Sequence, residues 1–216
     1  MAPLSLLLKP ASGLCNLRCR YCFYADEMCK REVPSYGVMS EETLALVLEK
    51  ALAWADGRVT LAFQGGEPTL AGLDFFRSAV KLVKKYNTRG LPVQYALQTN
   101  GILLDEGWAQ FLGENHFLVG ISLDGDRELH NHNRIGVDGK GSFDTVMERI
   151  ELLKRYQIDF NILTVVTGQT GGSIGKIYRF FQKSDLLYQQ YIPCLDPLQE
   201  ERGQADYSLT PKKYGH

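Results

Sequence analysis

The sequence predicts an α/β fold in which a parallel sheet, covered by helices, curls toward a barrel. Three observations predict it. Six apolar strand runs alternate with stretches of helical periodicity along the 216 residues. The runs are apolar nearly throughout, as in strands buried on both faces, which favours parallel pairing. Strand–helix–strand crossovers are right-handed, so a series of six bends the sheet in one sense.

The first run, residues 4–8 (LSLLL), is a buried-strand candidate. Ser40 then opens a helix as N-cap, with Glu41 and Glu42 in the first turn, where the helix dipole favours acids. Leu44, Val47, Leu48, Ala51 and Leu52 follow at helical spacing. Residues 59–63 are the second strand, and 74–86 an amphipathic helix with Phe75, Val80, Leu82 and Val83 as apolar members. Residues 93–97 are the third strand, and Asp105 caps a helix holding Trp108 and Phe111. Residues 117–123 form a continuous apolar strand, and Ser142 caps a helix carrying Val146, Ile150 and Leu153. A β-branched strand over 158–166, a helix over 174–181 and a strand over 188–192 complete the series. The loops over 136–141 and 168–172 are Gly-rich and expected to be flexible. Thr210-Pro211 is a sixth helix start, an N-cap followed by Pro at the first helical position. Few residues follow, so the sixth helix is expected to be incomplete and the chain to be a fragment of a longer protein.

Hydrophobic residues at 44% suffice for a sizeable core, and charged residues at 23% are ordinary. A net charge of −1 gives no electrostatic case for nucleic acid. No apolar run reaches the roughly 20 residues that span a bilayer. The start MAPLSLLLKP lacks a basic n-region and a small-residue cleavage site. Five cysteines, an odd number, argue against a disulfide framework.

Cys15, Cys19 and Cys22 stand in a C-x3-C-x2-C run with Tyr21 before the last. Three thiolates in one loop can hold three irons of a [4Fe-4S] cube, which normally takes four cysteines. The unligated iron then keeps a coordination position for a substrate, as catalytic metal sites do. A zinc loop or free core cysteines are the plainer alternatives. Cys29 reads as a free thiol in a polar loop, Cys194 as a small packing residue, and His130 and His132 as members of a solvated loop, HNHNR.

Around the cysteines the chain reads KPASGLCNLRCRYCFY over 9–24, QGGEP over 64–68, QTNG over 98–101, ISLDG over 121–125 and IPCLDP over 192–197. Together these resemble the radical S-adenosylmethionine (SAM) superfamily, and within it the anaerobic sulfatase-maturating enzymes. The resemblance implies a partial (β/α)6 TIM-like barrel, one radical SAM core domain over 1–216, with every motif at or just after a strand's C-terminal end. It implies two cofactors, a [4Fe-4S] cluster on Cys15, Cys19 and Cys22, and SAM. Gly66 (backbone) and Glu67 (carboxylate) would meet the SAM amino group, and Ser122 and Arg134 its carboxylate or ribose. Tyr21 would pack by the cluster and offer backbone to the adenine, and Leu195 would touch the adenine. Tyr24 would reach the substrate's reacting side chain, while Gln64, Gln98 and Asn100 suit a peptide backbone. The implied reaction oxidises a Cys or Ser side chain of a sulfatase polypeptide to Cα-formylglycine through a 5′-deoxyadenosyl radical. A flavodoxin- or ferredoxin-like low-potential electron donor, a reducing cytoplasm, and no nucleic-acid or membrane partner go with it. The family's cysteine-rich C-terminal region, with two auxiliary clusters and an Asp base, is not in this sequence. Other peptide-modifying maturases, such as thioether-forming ones, and a cluster- and SAM-binding fragment without turnover are the rival readings.

Overall fold

Six strands pair in chain order, each parallel to the next, in a single sheet. The computed structural model describes residues 3–198 and 201–215; His216, where the sequence stops, lies outside them. The strands are β1 (Leu4–Leu8), β2 (Val59–Phe63), β3 (Val93–Thr99), β4 (Phe117–Ser122), β5 (Phe160–Val166) and β6 (Gln189–Pro193). Between them run α1 (Phe23–Cys29), α2 (Glu41–Trp54), α3 (Leu73–Tyr86), α4 (Glu106–Glu114), α5 (Arg127–Asn133), α6 (Phe143–Arg155) and α7 (Ile174–Lys183), with α8 (Pro211–Tyr214) last. This is the partial barrel expected, and its sixth helix is a single turn of four residues whose Thr210 cap accepts from the Lys213 N–H.

Side-chain alternation explains how the sheet buries one face and opens the other. Val59, Leu61 and Phe63 of β2 and Phe117, Val119 and Ile121 of β4 are buried against the helices. The run over 117–123, expected to be continuously apolar and buried, therefore splits by parity. Leu118 is 47% exposed, and Ser122 turns to the cavity side. A barrel interior left unfilled has no apolar partner for these inner-face residues. Aromatic rings knit the helical layer to the sheet: Phe76 sits 4.9 Å from Phe63 and 5.0 Å from Trp108. Of the two phenylalanines of α3, Phe76 and not Phe75 is fully buried.

Ser40 and Asp105 cap as expected, accepting from the N–H of Thr43 and Trp108. Ser142 does not cap α6. Its hydroxyl donates to the Arg134 carbonyl and meets His130 Nε2 instead. Two helices depart from the loops expected of them. Cys29 ends α1, and His130 and His132 lie in α5. The Gly-rich loops hold defined turns: the Gly136 N–H donates to the Lys140 carbonyl at 2.8 Å, and Gly171–Ser173 is a 3-10 turn.

Candidate active site

The loop after β1 carries the three cysteines and is strapped on both sides by backbone. From one side the N–H groups of Gly66 and Glu67 donate to the carbonyls of Ser12 (3.1 Å) and Leu14 (2.7 Å). From the other, the N–H groups of Arg18 and Arg20 donate to the carbonyls of Ile135 (2.7 Å) and Asn133 (3.0 Å). Cys15, Cys19 and Cys22 are free thiols, each partly buried. Burial raises the Cys15 pKa, with Glu67 and Cys22 adding to it, and pushes Cys19 up to about 12, with Asp124, Cys22 and Cys15 adding to it. Thiolates here need a compensating cation, as metal binding supplies. Among the described residues no three His, Cys, Asp or Glu side chains converge on one metal-ion position. The three thiols instead share the wall of one cavity. That donor set fits a [4Fe-4S] cluster, in which each ligated iron takes its own thiolate.

Gly66 is required by close approach. A Cβ there would lie 2.1 Å from the Leu14 carbonyl oxygen and 2.5 Å from the Gly13 carbonyl carbon. The backbone that comes so near is the cysteine loop itself. Glu67 is 1% exposed. Its Oε1 accepts from the Thr69 N–H (3.0 Å), the Thr69 hydroxyl (2.6 Å) and the Thr99 hydroxyl (2.7 Å), and its Oε2 from the Asn100 N–H (2.7 Å). Burial raises its pKa and these donors oppose the rise. They also fill most of a carboxylate's acceptor sites, leaving Oε2 the only oxygen with room for a ligand.

Asp124 was quoted in ISLDG but assigned no role by sequence, and it is a hub. Fully buried, it receives Arg134 Nε on Oδ2 (2.8 Å) and Arg134 Nη2 on Oδ1 (3.1 Å), a bidentate pair. It also accepts from the Val165 N–H at 3.0 Å and from the Tyr21 hydroxyl. Tyr21 thus points its side chain inward, with the Arg134 guanidinium 5.4 Å from its ring centroid. His130 is buried beside them, its Nδ1 accepting from the Asp124 N–H at 3.3 Å. Burial pulls its pKa down to about 3. A partner 103 residues away in sequence carries no local signal, which is why Asp124 escaped a reading by motif.

A cavity of about 240 Å³ at the C-terminal ends of the strands gathers all ten predicted site residues: Cys15, Cys19, Cys22, Tyr21, Tyr24, Gly66, Glu67, Ser122, Arg134 and Leu195. Gln98 Nε2 donates to the Ser122 hydroxyl at 3.2 Å, which holds Ser122 toward the cavity. Tyr24, on α1, is half-buried with the Lys9 ammonium 4.9 Å from its ring centroid. Leu195 is 61% exposed and is no core leucine. Cys194, next to Leu195 in sequence, also lines this mouth. The sequence had Asn100 suited to a peptide backbone, but its side chain is engaged by Asn16, Ile102 and Cys15. A larger cavity, about 790 Å³, lies where β5 and β6 begin, between Leu118, Asp159 and Tyr188, and holds none of the ten.

The comparisons with known proteins agree with this geometry. The chain is 51% identical over 214 residues to a cysteine-type anaerobic sulfatase-maturating enzyme of Clostridium novyi, covering 99% of this chain and 57% of that protein. It is 33% identical to a serine-type enzyme of Bacteroides thetaiotaomicron, covering 99% of this chain and 55% of that one. The solved structure of native anSMEcpe with bound AdoMet and Kp18Cys peptide superposes with a TM-score of 0.93 at 50% identity, over 98% of this chain and 57% of that chain. The SuiB structure of Streptococcus suis with S-adenosylmethionine shares the fold alone, at a TM-score of 0.67 and 18% identity. The chain therefore spans a little over half the length of the sulfatase-maturating relatives. Residues 10–181 match the Radical SAM superfamily, and with the three-cysteine loop and the strand-end cavity in place, the chain belongs to that superfamily.

Proposed function

We propose that this chain is the radical SAM core of a protein-modifying oxidoreductase that converts a cysteine side chain of a sulfatase to Cα-formylglycine. The observation that carries the reading is the gathering of all ten predicted residues on one cavity at the strand ends. The cysteine-type substrate is favoured over the serine type by identities of 51% against 33%. SuiB, at 18% identity, shares only the fold and bears on no choice of reaction.

With both cofactors bound, the reduced cluster would supply an electron that cleaves SAM to a 5′-deoxyadenosyl radical able to take hydrogen from the substrate Cβ. The chain's own residues bind and orient. Cys15, Cys19 and Cys22 ligate three irons. The Gly66 backbone and the open face of Glu67 Oε2 receive the amino group. Ser122, aimed by Gln98, and the outer edge of Arg134 receive the carboxylate or ribose. The Tyr21 backbone and Leu195 flank the adenine. Tyr24 stands at the mouth where the peptide side chain would arrive. A sulfatase polypeptide and a flavodoxin- or ferredoxin-like electron donor are the partners this chemistry requires. A reducing, cytoplasmic setting suits it, and no described helix is long and apolar enough to cross a membrane.

The test is anaerobic incubation of the natural protein, reconstituted with iron and sulfide, with SAM, a chemical reductant and matched peptides bearing Cys or Ser at the reacting position. Mass spectrometry should find formylglycine from the Cys peptide and 5′-deoxyadenosine in proportion. Conversion of neither peptide by a cluster-loaded, SAM-cleaving protein would overturn the assignment.

A further inference from the structure

We infer that Asn100 is a positioning residue that sets the reduction potential of the cluster, by donating its side-chain N–H to the sulfur of Cys15. The inference rests on the reading of Cys15, Cys19 and Cys22 as cluster ligands. Asn100 Nδ2 lies 3.7 Å from Cys15 Sγ and 2.8 Å from Asn16 Oδ1. The amide's two hydrogens thus have two acceptors. Its orientation is fixed from the other end, because Oδ1 accepts from the Ile102 N–H at 3.0 Å. A flipped amide would set Oδ1 against the Asn16 oxygen and the sulfur, and Nδ2 against an N–H. The backbone beneath is held as well, since the Asn100 N–H donates to Glu67 Oε2 at 2.7 Å. Glu67 in turn is gripped by Thr69 and Thr99. A chain of hydrogen bonds, buried as far as Asn100 and part-buried at its last link, therefore runs from the GGEP turn through the end of β3 to one sulfur.

That sulfur is singular among the three. Cys15 Sγ also accepts from the Leu17 N–H at 3.4 Å. No described hydrogen bond ends on the sulfur of Cys19 or Cys22. Hydrogen bonds to ligand sulfurs are among the determinants of iron–sulfur potentials. A donor N–H presents its positive end to the sulfur, so it stabilises the more negative, reduced state and raises the potential. Asn100 is 7% exposed, and at that depth water screens the dipole little. The same contact places the Asn100 side chain on the cluster rather than on a substrate peptide.

The test compares the natural protein with Asn100→Ala and Asn100→Asp after anaerobic reconstitution, by iron analysis and a redox titration followed by electron paramagnetic resonance. The expected result is about four irons per chain in all three, the complement of one cube. The potential should fall in Asn100→Ala. It should fall further in Asn100→Asp, which keeps the shape and the acceptor facing Ile102 but turns a negative oxygen toward the sulfur. Unchanged potentials with intact clusters would overturn the tuning role and leave the cluster reading standing. Loss of the cluster from both variants would also overturn it, by making Asn100 a structural brace. Absence of a four-iron cluster from the unaltered protein would sink the cluster reading itself, and the inference with it.

Discussion

At the scale of single residues, the parts of the site that were legible are those whose chemistry is local. The C-x3-C-x2-C spacing suggested a cluster loop, the neighbouring motifs made that reading specific, and the three thiols share one cavity wall. Gly66 was expected to bring its backbone to the SAM amino group; the backbone that approaches it most closely in this structure is the carbonyl of Leu14. A Gly66→Ala chain must move that carbonyl or the GGEP turn, and overpacking of this kind costs roughly 1–3 kcal/mol. It also strains the two bonds that strap the cysteine loop. We expect a lower melting temperature and reduced iron content together; a variant with normal values of both would show the strap to be dispensable. Arg134 was read as a ligand for SAM, but its first duty is to Asp124, a pair with side chains 8% and 0% exposed. Removing one partner of a buried pair costs roughly 3–5 kcal/mol, because the other charge is left uncompensated. Asp124→Asn and Arg134→Ala should each destabilise the chain by about that much. The double variant should be less than additive, as denaturant titration would reveal. Additive losses would mean that the two do not act as a pair. A long-range carboxylate hub of this kind has no sequence signature, which is why Asp124 carried no prediction.

At the scale of elements, strands were legible because apolar runs are dense, whereas α1 and α5 were not. Each is only seven residues; α5 is mostly polar, and α1 has no side-chain cap at Cys22. The Asp126 cap on α5, which accepts from the Leu129 N–H at 3.1 Å, was a readable signal that went unused. Placing HNHNR in a helix changes what His130 does. Ser142 donates its proton to the Arg134 carbonyl, so His130 must donate from Nε2 to the Ser142 oxygen. Nδ1 is then the acceptor for the Asp124 N–H, and the ring is neutral. Protonating Nδ1 would set two donors against each other, next to Arg134, with the Asp124 carboxylate only partly offsetting it. The folded-state pKa, about 3, lies below the ordinary 6.5. The unfolded chain therefore binds the proton first as pH falls. Stability is unaffected by this group above about pH 6.5 and is lost progressively from there toward pH 3, by about 2 kcal/mol at pH 5. Chemical denaturation at pH 7 and pH 5 should show this loss. His130→Gln, which has no such proton, should flatten it; an identical acid dependence in the variant would remove His130 as its cause.

At the scale of the whole molecule, the order of the sheet followed from alternation and the handedness of crossovers, but the unequal use of its two faces did not. Periodicity marks apolar residues without saying whether a face is filled by helices or left as a cavity. That distinction decides where a ligand can act on stability. The cavity draws its wall from the cysteine loop after β1 and from the ends of β3, β4, β5 and β6. SAM bound there would tie together strands that otherwise touch only their neighbours, and it would bind only the folded barrel. At a concentration a hundredfold above its dissociation constant, such a ligand adds about 2.7 kcal/mol. For a chain of this size each kcal/mol raises the melting temperature by about 2–4 °C, so a rise of roughly 5–11 °C is expected. The open iron would contribute part of the affinity. A Cys15→Ala, Cys19→Ala, Cys22→Ala chain should accordingly show a much smaller rise at the same SAM concentration. Anaerobic differential scanning calorimetry of the reconstituted natural protein and the triple variant, each with and without SAM, separates the contributions. Equal shifts in the two proteins would place the SAM affinity in side chains such as Arg134 and Ser122 rather than in the cluster. No shift in either would mean that the folded chain does not bind SAM appreciably at that concentration.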